Sequence, residues 1–378
     1  MLHELERAWY DRAQPLFASL AGYQPACTAV LAGHYPGRVF VDQPARPRAA
    51  LLVTTMSDNS LWCLLAGDPA VEAFNRALNG ALSGGTIAGE GVDVLFFVCD
   101  PEDWGGHLPA VIAPLAPFAV QRRHYVCCQV AGDAEARLPA GYRLARMDPA
   151  WLDRPDLQLP DNVRQTLERW RSLGRGEAGA PLHDYGFAAL AGERVVAWTT
   201  VDFVAGGRGE AGVFTLPAHR QRGLAVATSA AAIGHGLAHG LSQVDWSCSE
   251  DNAGSIRTAE RLGCTRERDY GQYFLLLDEA TNLAYQAYEC LEAGDYPGAA
   301  ALHDRSFAVG TPLPAWAHFD AAQVRAGLGD GDGALAALQQ AAAQGWTDVT
   351  AVEACTEFAP LHGTAGWAAV LAAMASDR

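Results

Sequence analysis

Short apolar runs bounded by Gly, Pro and Asp dominate the start of the chain, a pattern typical of buried strands. We predict four strands here, over residues 38–41, 50–53, 61–65 and 92–99. A helix is predicted over residues 2–20. A second is predicted from Asp68 through Leu78, because Asp followed by Pro is a helix-start signal. Residues 1–132 are therefore predicted to form an α/β domain.

A second region follows a polar linker, marked by Pro and Gly, at residues 131–141. Its pattern predicts strands over 142–147, 185–190, 195–204, 211–216 and 244–248, with closing strands through Leu277. Helices are predicted over 161–173, over 226–241 and after Asn252. A tight turn at Gly192-Glu193 joins two of the strands. We assign residues 140–277 to this domain.

The remaining chain, residues 278–378, is Ala-rich and predicted to be helical. The motif Gly-Asp-x-x-x-Ala begins at Gly294 and again at Gly329, an offset of 35 residues. This period resembles that of tetratricopeptide repeats, so we expect a small all-α helical repeat. It would pack on the preceding domain, form a homodimer or bind a protein partner.

Composition excludes several classes of protein. A net charge of −16 argues against nucleic-acid binding, and all 27 basic residues are arginine, which removes lysine-dependent chemistry. We expect no membrane span, because polar residues interrupt every apolar stretch, and no signal peptide, hence a cytoplasmic protein. The nine cysteines form no C-x-x-C pair. Buried thiols, including Cys127 and Cys128, explain them better than disulfides or a metal site, so no metal is expected.

The most informative segment is Arg220-Gln221-Arg222-Gly223-Leu224-Ala225, between the strand over 211–216 and the helix over 226–241. A glycine turn between a strand and a helix leaves amide N–H groups unpaired at the helix start, where the helix dipole is also positive. This arrangement predicts a phosphate site. Gly223 allows close approach of an anion, and Arg220 and Arg222 add positive charge beside it.

A second motif, Asn252-Ala-Gly-Ser255, opens a helix that closes at Leu262-Gly263. With both motifs in this order, residues 141–277 resemble the GNAT superfamily of acyl-CoA-dependent N-acetyltransferases. The segments Phe-Thr-Leu-Pro, Trp-Ser-Cys and Asn-Ala-Gly-Ser are most similar to a bacterial subgroup that includes the zwittermicin A resistance acetyltransferase. The resemblance implies a mixed α/β GNAT acetyltransferase fold with a mainly antiparallel sheet. The first region would be a degenerate copy of that fold or an unrelated domain.

The resemblance also implies site residues. Backbone amides at six positions would hold the pyrophosphate of acetyl-CoA, here a co-substrate: Gln221, Arg222, Gly223, Leu224, Ala225 and Val226. The strand Val213, Phe214 and Thr215 would pair with the pantetheine arm, and Asn252 would support that arm. From the residues alone, Asn252 is equally explained as a helix N-cap, with Gly263 as the C-cap.

The catalytic residues are less clearly indicated. Many family members use a glutamate at the start of the motif strand, where this chain has Glu210, although an exposed carboxylate at a loop end is an equal alternative. The tyrosine that commonly protonates the departing thiolate is replaced by Ala259. We therefore consider Tyr270 and Tyr273 as substitutes, and Asp202, His183 and Asp184 as residues of an acceptor pocket.

These features predict an acetyl-CoA-dependent N-acetyltransferase acting on a small-molecule amine, including antibiotic-like amines. The alternative is a non-catalytic acyl-CoA-binding protein with a regulatory or scaffold role. The missing tyrosine and the appended helices favour that alternative, whereas the phosphate turn is common to both.

Overall fold

The computed structural model describes residues 1–56, 60–89, 91–130, 138–174 and 183–376. These residues divide into two compact units. The first contains residues 1–113 and 117–274, and the second contains residues 114–116 and 275–378. In the described residues, no helix has both the length and the hydropathy needed to cross a bilayer.

One sheet of twelve strands organises the first unit, in the order β1-β2-β3-β4-β5-β12-β6-β11-β10-β9-β8-β7. The strands are β1 (His3–Glu4), β2 (Arg38–Val41), β3 (Ala49–Thr55), β4 (Leu61–Gly67), β5 (Val94–Asp100), β6 (Phe118–Cys127), β7 (Tyr142–Arg146), β8 (Tyr185–Ala191), β9 (Arg194–Ala205), β10 (Arg208–Thr215), β11 (Val244–Ser249) and β12 (Thr265–Leu276). Of the ten neighbouring pairs whose register is described, two are parallel, β4 with β5 and β10 with β11, and the other eight are antiparallel.

Helices cover both faces of this sheet. They are α1 (Ala18–Ala21), α2 (Pro25–Leu31), α3 (Glu72–Ser83), α4 (Trp104–Ile112), α5 (Asp161–Ser172), α6 (Leu224–Ala238) and α7 (Ala253–Leu262). The α6 and α7 side packs on Trp246 and Ala211, whereas α2 packs with Phe203 and Tyr270. The mixed α/β fold expected from the sequence is confirmed.

Two strands are exchanged between the halves of the sheet: each pairs with strands that come from the other half of the sequence. Strand β6 follows the elements β1–β5, yet it pairs with β11, with Asp245 opposite Val126. Strand β12 follows α7, yet it lies between β5 and β6. Each half therefore has three antiparallel pairs followed by one parallel pair, and a strand from the other half lies next to its last strand. This repeat favours the degenerate-copy alternative for the first region, while the boundaries 1–132, 140–277 and 278–378 stay predictions.

The expectation that all cysteines are free thiols was wrong. Cys127, at the end of β6, forms a disulfide with Cys264, with a Cα–Cα distance of 4.4 Å. Cys264 follows the left-handed residue Gly263 that ends α7, and Thr265 pairs with Val126. The exchange of strands thus brings together two cysteines 137 positions apart. Cys128, expected to be buried, is exposed.

Most predicted elements are present, with three differences. Residues 2–20 do not form one helix: His3 pairs with Val41 as strand β1, and 3-10 turns surround Pro15, which has no N–H to continue a helix. Helix α3 begins at Glu72, because the Asp68 carboxylate accepts from the Ala70 amide and closes a separate turn first. The closing strands are one long strand, β12. Most of the predicted linker, residues 131–137, lies outside the described residues.

The second unit is helical. Its helices are α8 (Glu279–Glu292), α9 (Tyr296–Val309), α10 (Ala315–Gly327), α11 (Gly331–Ala343), α12 (Val349–Ala354) and α13 (Ala365–Ser376). The repeated motif forms the same joint twice: Gly294 and Gly329 are left-handed, and Asp295 and Asp330 cap α9 and α11. The similarity of this joint to tetratricopeptide repeats stays a prediction.

Reduction of the disulfide is expected to lower the melting temperature. The cross-link restricts the unfolded chain, so its loss makes unfolding more favourable and lowers the free energy of unfolding by about 2–4 kcal/mol. Thermal unfolding with and without dithiothreitol measures the effect. The double variant Cys127→Ala/Cys264→Ala should not respond to the reductant, whereas Cys128→Ser should respond as the wild type does. Equal melting temperatures, with no cross-linked peptide in a non-reduced digest, would contradict the prediction.

Candidate functional site

The parallel strands β10 and β11 pair over two positions and then separate. Glu210 is in register with Asp245, and Ala211 with Trp246. On its other side β10 continues in register with β9 as far as Thr215. The part of β10 beyond Ala211 therefore keeps one strand partner and turns its other edge toward an opening in the sheet.

The turn after β10 has the backbone geometry needed to bind an anion. Gln221 and Gly223 have φ angles of 59° and 78°, and α6 begins at Leu224. The first helical hydrogen bond is donated by Ala227 to the Gly223 carbonyl. Within the described ranges, no hydrogen bond uses the amides of residues 221–226. A Cβ built on Gly223 meets no atom within 4 Å, so this side of the turn is open. Six amide donors are thus left for a ligand.

A cavity of about 850 Å³ connects the opening and the turn. It is lined by Val213, Phe214, Thr215, His219, Arg220, Gln221, Gly223, Leu224, Ala225, Val226, Asn252, Gly254, Ser255, Arg257, Thr258 and Arg261. The lining contains three arginines and no carboxylate. In a chain of net charge −16, this distribution favours an anionic ligand.

The cavity brings together every predicted cofactor-binding residue except Arg222. The Arg222 guanidinium donates to the Tyr142 hydroxyl at 3.1 Å and to the Ala218 carbonyl at 3.4 Å. The Tyr142 hydroxyl also lies 3.0 Å from Nδ1 of His219, so these side chains fix the outside of the turn. The backbone of Arg222 belongs to the turn, whereas its side chain points away from the cavity lining.

Two arginines of the cavity were missed from the sequence, Arg257 and Arg261. They lie one turn apart on α7, the helix that begins after Asn252, and both are exposed. Their spacing of four residues places them on one helix face, a signal that was available in the sequence. They add positive charge on the side of the cavity opposite the turn.

Asn252 fits both of its expected roles. Its side-chain oxygen accepts from the Ser255 amide at 3.0 Å, the geometry of an N-cap. It also lines the cavity. The Trp246 indole donates to the Ser255 hydroxyl at 3.0 Å, which anchors this end of α7 to β11.

The corresponding place in the first half lacks these features. Strands β4 and β5 stay paired over six positions, from Leu61 with Leu95 to Ala66 with Asp100. After β4, the Asp68 carboxylate occupies the turn, where it accepts from Ala70 and pairs with Arg48. A carboxylate there repels the anion that the turn after β10 would attract. The first half therefore has no equivalent site at this position.

Glu210 lies on β10 just before the strands separate. Its Oε2 atom is inaccessible and has no hydrogen-bond partner in the described parts of the chain. Burial, and then the nearby Asp245 carboxylate, raise the pKa of Glu210 to about 8, although the Arg122 guanidinium and the Ser247 hydroxyl lower it. The alternative of an exposed loop-end carboxylate is therefore wrong for this side chain.

Ionic contacts surround Glu210 on the neighbouring strands. Asp245 forms a buried pair with His124 at 2.8 Å and a second pair with Arg208, and these contacts hold the pKa of Asp245 below its ordinary value despite burial. Asp202 is in register with Glu210 on β9 and pairs with Arg169 at 2.9 Å. Asp202 and Asp245 thus each have a cationic partner.

The tyrosines considered as acids lie elsewhere. Tyr270 is buried beside Tyr23, with ring centroids 5.1 Å apart, and is absent from the cavity lining. The Tyr273 hydroxyl lies so close to Gly105 of α4 that a Cβ there would clash. Ala259 lies on α7 and is fully buried. Asp184 accepts from the Val204 amide at 3.4 Å. The catalytic role of Tyr270 stays a prediction.

Comparisons with known proteins agree with this geometry. The sequence model of a family described as GNAT acetyltransferase matches residues 14–273. A GCN5-related N-acetyltransferase-like protein from Streptococcus suis 89/1591 is 20% identical, with a TM-score of 0.50, over 71% of this chain and 98% of that chain. A GCN5-related N-acetyltransferase from Sphaerobacter thermophilus is 15% identical, with a TM-score of 0.51, over 73% and 95%. At these identities the structures show the fold alone. Among curated proteins, none matches.

The ionisation of Glu210 is expected to destabilise the fold. Because its pKa is about 8 in the folded state against an ordinary 4.5, stability should fall as pH rises through this window. In Glu210→Gln, the decrease in the free energy of unfolding between pH 5 and pH 9 should be smaller than in the wild type by roughly 3 kcal/mol. Urea unfolding at pH 5 and pH 9 measures it, with the exposed Glu168→Gln as the control. A Glu210→Gln variant with the same pH dependence as the wild type would refute the prediction.

Proposed function

The chain belongs to the GNAT acetyltransferase family, and from this premise we propose that it transfers an acetyl group from acetyl-CoA to the amino group of a small molecule. The observation that carries the proposal is the set of unpaired amides at residues 221–226, in a turn whose residues, except Arg222, line a cavity without carboxylates. That cavity continues into the opening between β10 and β11, where an extended acyl carrier fits.

The residues of the cavity suit the parts of acetyl-CoA, which supplies an activated acyl group. The amides of residues 221–226 would hold its pyrophosphate, supported by the positive end of α6. The free edge of Val213, Phe214 and Thr215 would pair with the pantetheine arm as an added strand does. The buried Thr215 hydroxyl, which has no partner among the described residues, and the Asn252 side chain would contact the same arm.

Glu210 is proposed as the proton acceptor for the amine. An alkylammonium must lose a proton before it can attack a carbonyl carbon, and a carboxylate with a pKa of about 8 takes that proton more readily than an ordinary one. Glu210 takes one proton from the ammonium through water, since it does not line the cavity. The neutral amine then attacks, and as the carbon–sulfur bond breaks the second proton on nitrogen passes through water to the departing thiolate. The thiolate leaves without a dedicated acid, because Ala259 replaces the tyrosine and a thiol is acidic enough to leave with solvent help.

The resemblance to the subgroup with the zwittermicin A resistance acetyltransferase supports an antibiotic-like amine as acceptor. The helical repeat of the second unit, with its two Gly-Asp joints, is proposed to mediate homodimer formation or to bind a protein partner.

One observation favours a second function, a non-catalytic acyl-CoA-binding protein. Ala259 removes the common proton donor, and Tyr270 lies outside the cavity. In this case the turn would bind the coenzyme while no acyl transfer occurred. Turnover, and not binding, distinguishes the two functions.

Acetyl-CoA is expected to raise the melting temperature, since a ligand at a hundred times its dissociation constant stabilises the fold by about 2.7 kcal/mol. Gly223→Glu should abolish this rise, because it places a negative side chain in the open side of the turn. Gly240→Glu is the control: Gly240 is also left-handed with open space around it, but lies beyond the other end of α6. A rise that persists in Gly223→Glu would remove the proposed coenzyme site.

Turnover is expected to increase with pH through about 8, because Glu210 accepts a proton only when ionised. Release of free thiol across a panel of amines, measured from pH 6 to pH 10, gives this profile. Glu210→Gln should lower kcat/KM by about 100-fold or more and remove the rise. A panel without turnover, together with a normal melting-temperature rise, would instead support the binding protein.

A further inference from the structure

Strand β6 comes from the first half of the sequence but lies beside the proposed site in the second half. We propose that Arg122 on β6 is a positioning residue that holds the Glu210 carboxylate and keeps it available as the proton acceptor. The first half would then complete the active site as well as extend the sheet. This inference rests on the proposed function, and it assigns a role to a residue outside the cavity.

The first argument is the register of three strands. Residues paired directly across a sheet share a face, as do alternate residues along a strand. Arg122 pairs with Ser249, Asp245 pairs with Val126, and Glu210 is in register with Asp245. Arg122 and Glu210 are therefore on the same face, the one that packs toward α2 and not toward α7.

The second argument is the direction of the Arg122 side chain. Its Cα is opposite Ser249, yet its Nη2 donates to the carbonyl of Ser247 at 3.3 Å. Ser247 is two positions closer along β11 to Asp245, the residue level with Glu210. The guanidinium therefore extends back along the sheet toward the Glu210 carboxylate.

The third argument is the set of polar atoms without partners at this place. Nε of Arg122, Oγ of Ser247 and Oε2 of Glu210 are all buried, and none makes a hydrogen bond of good geometry in the described ranges, although the Ser247 hydroxyl lies near enough to Glu210 to lower its pKa. They are a donor, a hydroxyl that can donate or accept, and an acceptor. Buried polar atoms are normally satisfied, and these three are of complementary kinds.

The fourth argument is how the neighbouring charges are paired. Two carboxylates flank Glu210, Asp202 on β9 and Asp245 on β11, and both oppose its ionisation. Their own cations are engaged elsewhere, Arg169 with Asp202, and His124 and Arg208 with Asp245. Arg122 forms no ion pair among the described residues, and it favours the ionised form of Glu210. It is thus the cation that remains for this carboxylate.

The test is the pH profile of kcat/KM for thiol release, which reports groups of the free enzyme. Arg122→Gln should move the rise attributed to Glu210 to higher pH by about one pH unit, which makes turnover about tenfold lower at pH 7. At pH 10 the loss should nearly disappear. Arg122→Lys should restore the wild-type profile. Arg123→Gln, on the same strand but the opposite face, should leave the position of the rise unchanged.

A second readout does not need turnover. Because Arg122 lowers the pKa of Glu210, its removal should extend the fall of stability with pH to higher pH, as measured by urea unfolding. In the Glu210→Gln background, Arg122→Gln should not change the pH dependence. These unfolding measurements can be made even if no amine in the panel is acetylated. They therefore test the interaction between Arg122 and Glu210 independently of the proposed function.

Unchanged pH dependence in both readouts for Arg122→Gln would overturn the inference, as would an equal loss of turnover at every pH. If Arg122→Gln does not fold, as judged by loss of the melting transition, Arg122→Met decides, because it keeps much of the side-chain volume without the charge: a rise displaced to higher pH supports the inference, and a wild-type profile overturns it.

Discussion

The separation of β10 from β11 after Ala211 and Trp246 is the constraint on which the rest of the site depends. A strand inside a sheet normally has both of its edges paired, so its amides and carbonyls are not available to a ligand. Here one edge of β10 is released after two residue pairs, while β9 keeps the strand in place. The chain then turns at Gly223 into α6, which adds a second group of unpaired amides. Backbone alone thus provides a continuous polar surface, and the side chains around it only adjust charge and shape.

The exchange of β6 and β12 places this opening inside a single sheet of twelve strands. Because β11 is held on its other side by β6, the opening occurs next to a fully paired strand instead of at a free edge. The same exchange explains the buried charges: His124 on β6 can reach Asp245 only because β6 has crossed from the first half. Arg208 also donates to the carbonyls of Ala21 and Gly22, which ties β10 to the elements before α2. The family match to residues 14–273 covers both halves of this unit.

Local signals made much of this molecule predictable. The glycine turn at Gly223 and the N-cap at Asn252 depend on neighbouring residues, and both are present as expected. The fold of residues 140–277 followed from these motifs. Features that depend on distant contacts were not predictable. The Cys127–Cys264 disulfide requires the strand exchange, and hydrophobic periodicity carries no information about strand order. The placement of Tyr270 beside Tyr23, away from the cavity, has the same origin, because strand β12 lies next to β5.

The proposed function requires two different electrostatic environments, a positive cavity for the coenzyme and a carboxylate of raised pKa for the amine proton. A negatively charged coenzyme needs a positive cavity, and the three arginines of the lining meet that need at the protein surface, where they remain solvated. A proton acceptor needs a carboxylate that holds its proton well, which burial and two neighbouring carboxylates provide on the other face of the sheet. The sheet separates these two environments, since Glu210 and Thr215 are on opposite faces of the same strand. A buried acid with a pKa of about 8 reduces stability, and cost of this kind is expected where a side chain is retained for chemistry instead of packing. The role proposed for Glu210, proton transfer, would account for this cost.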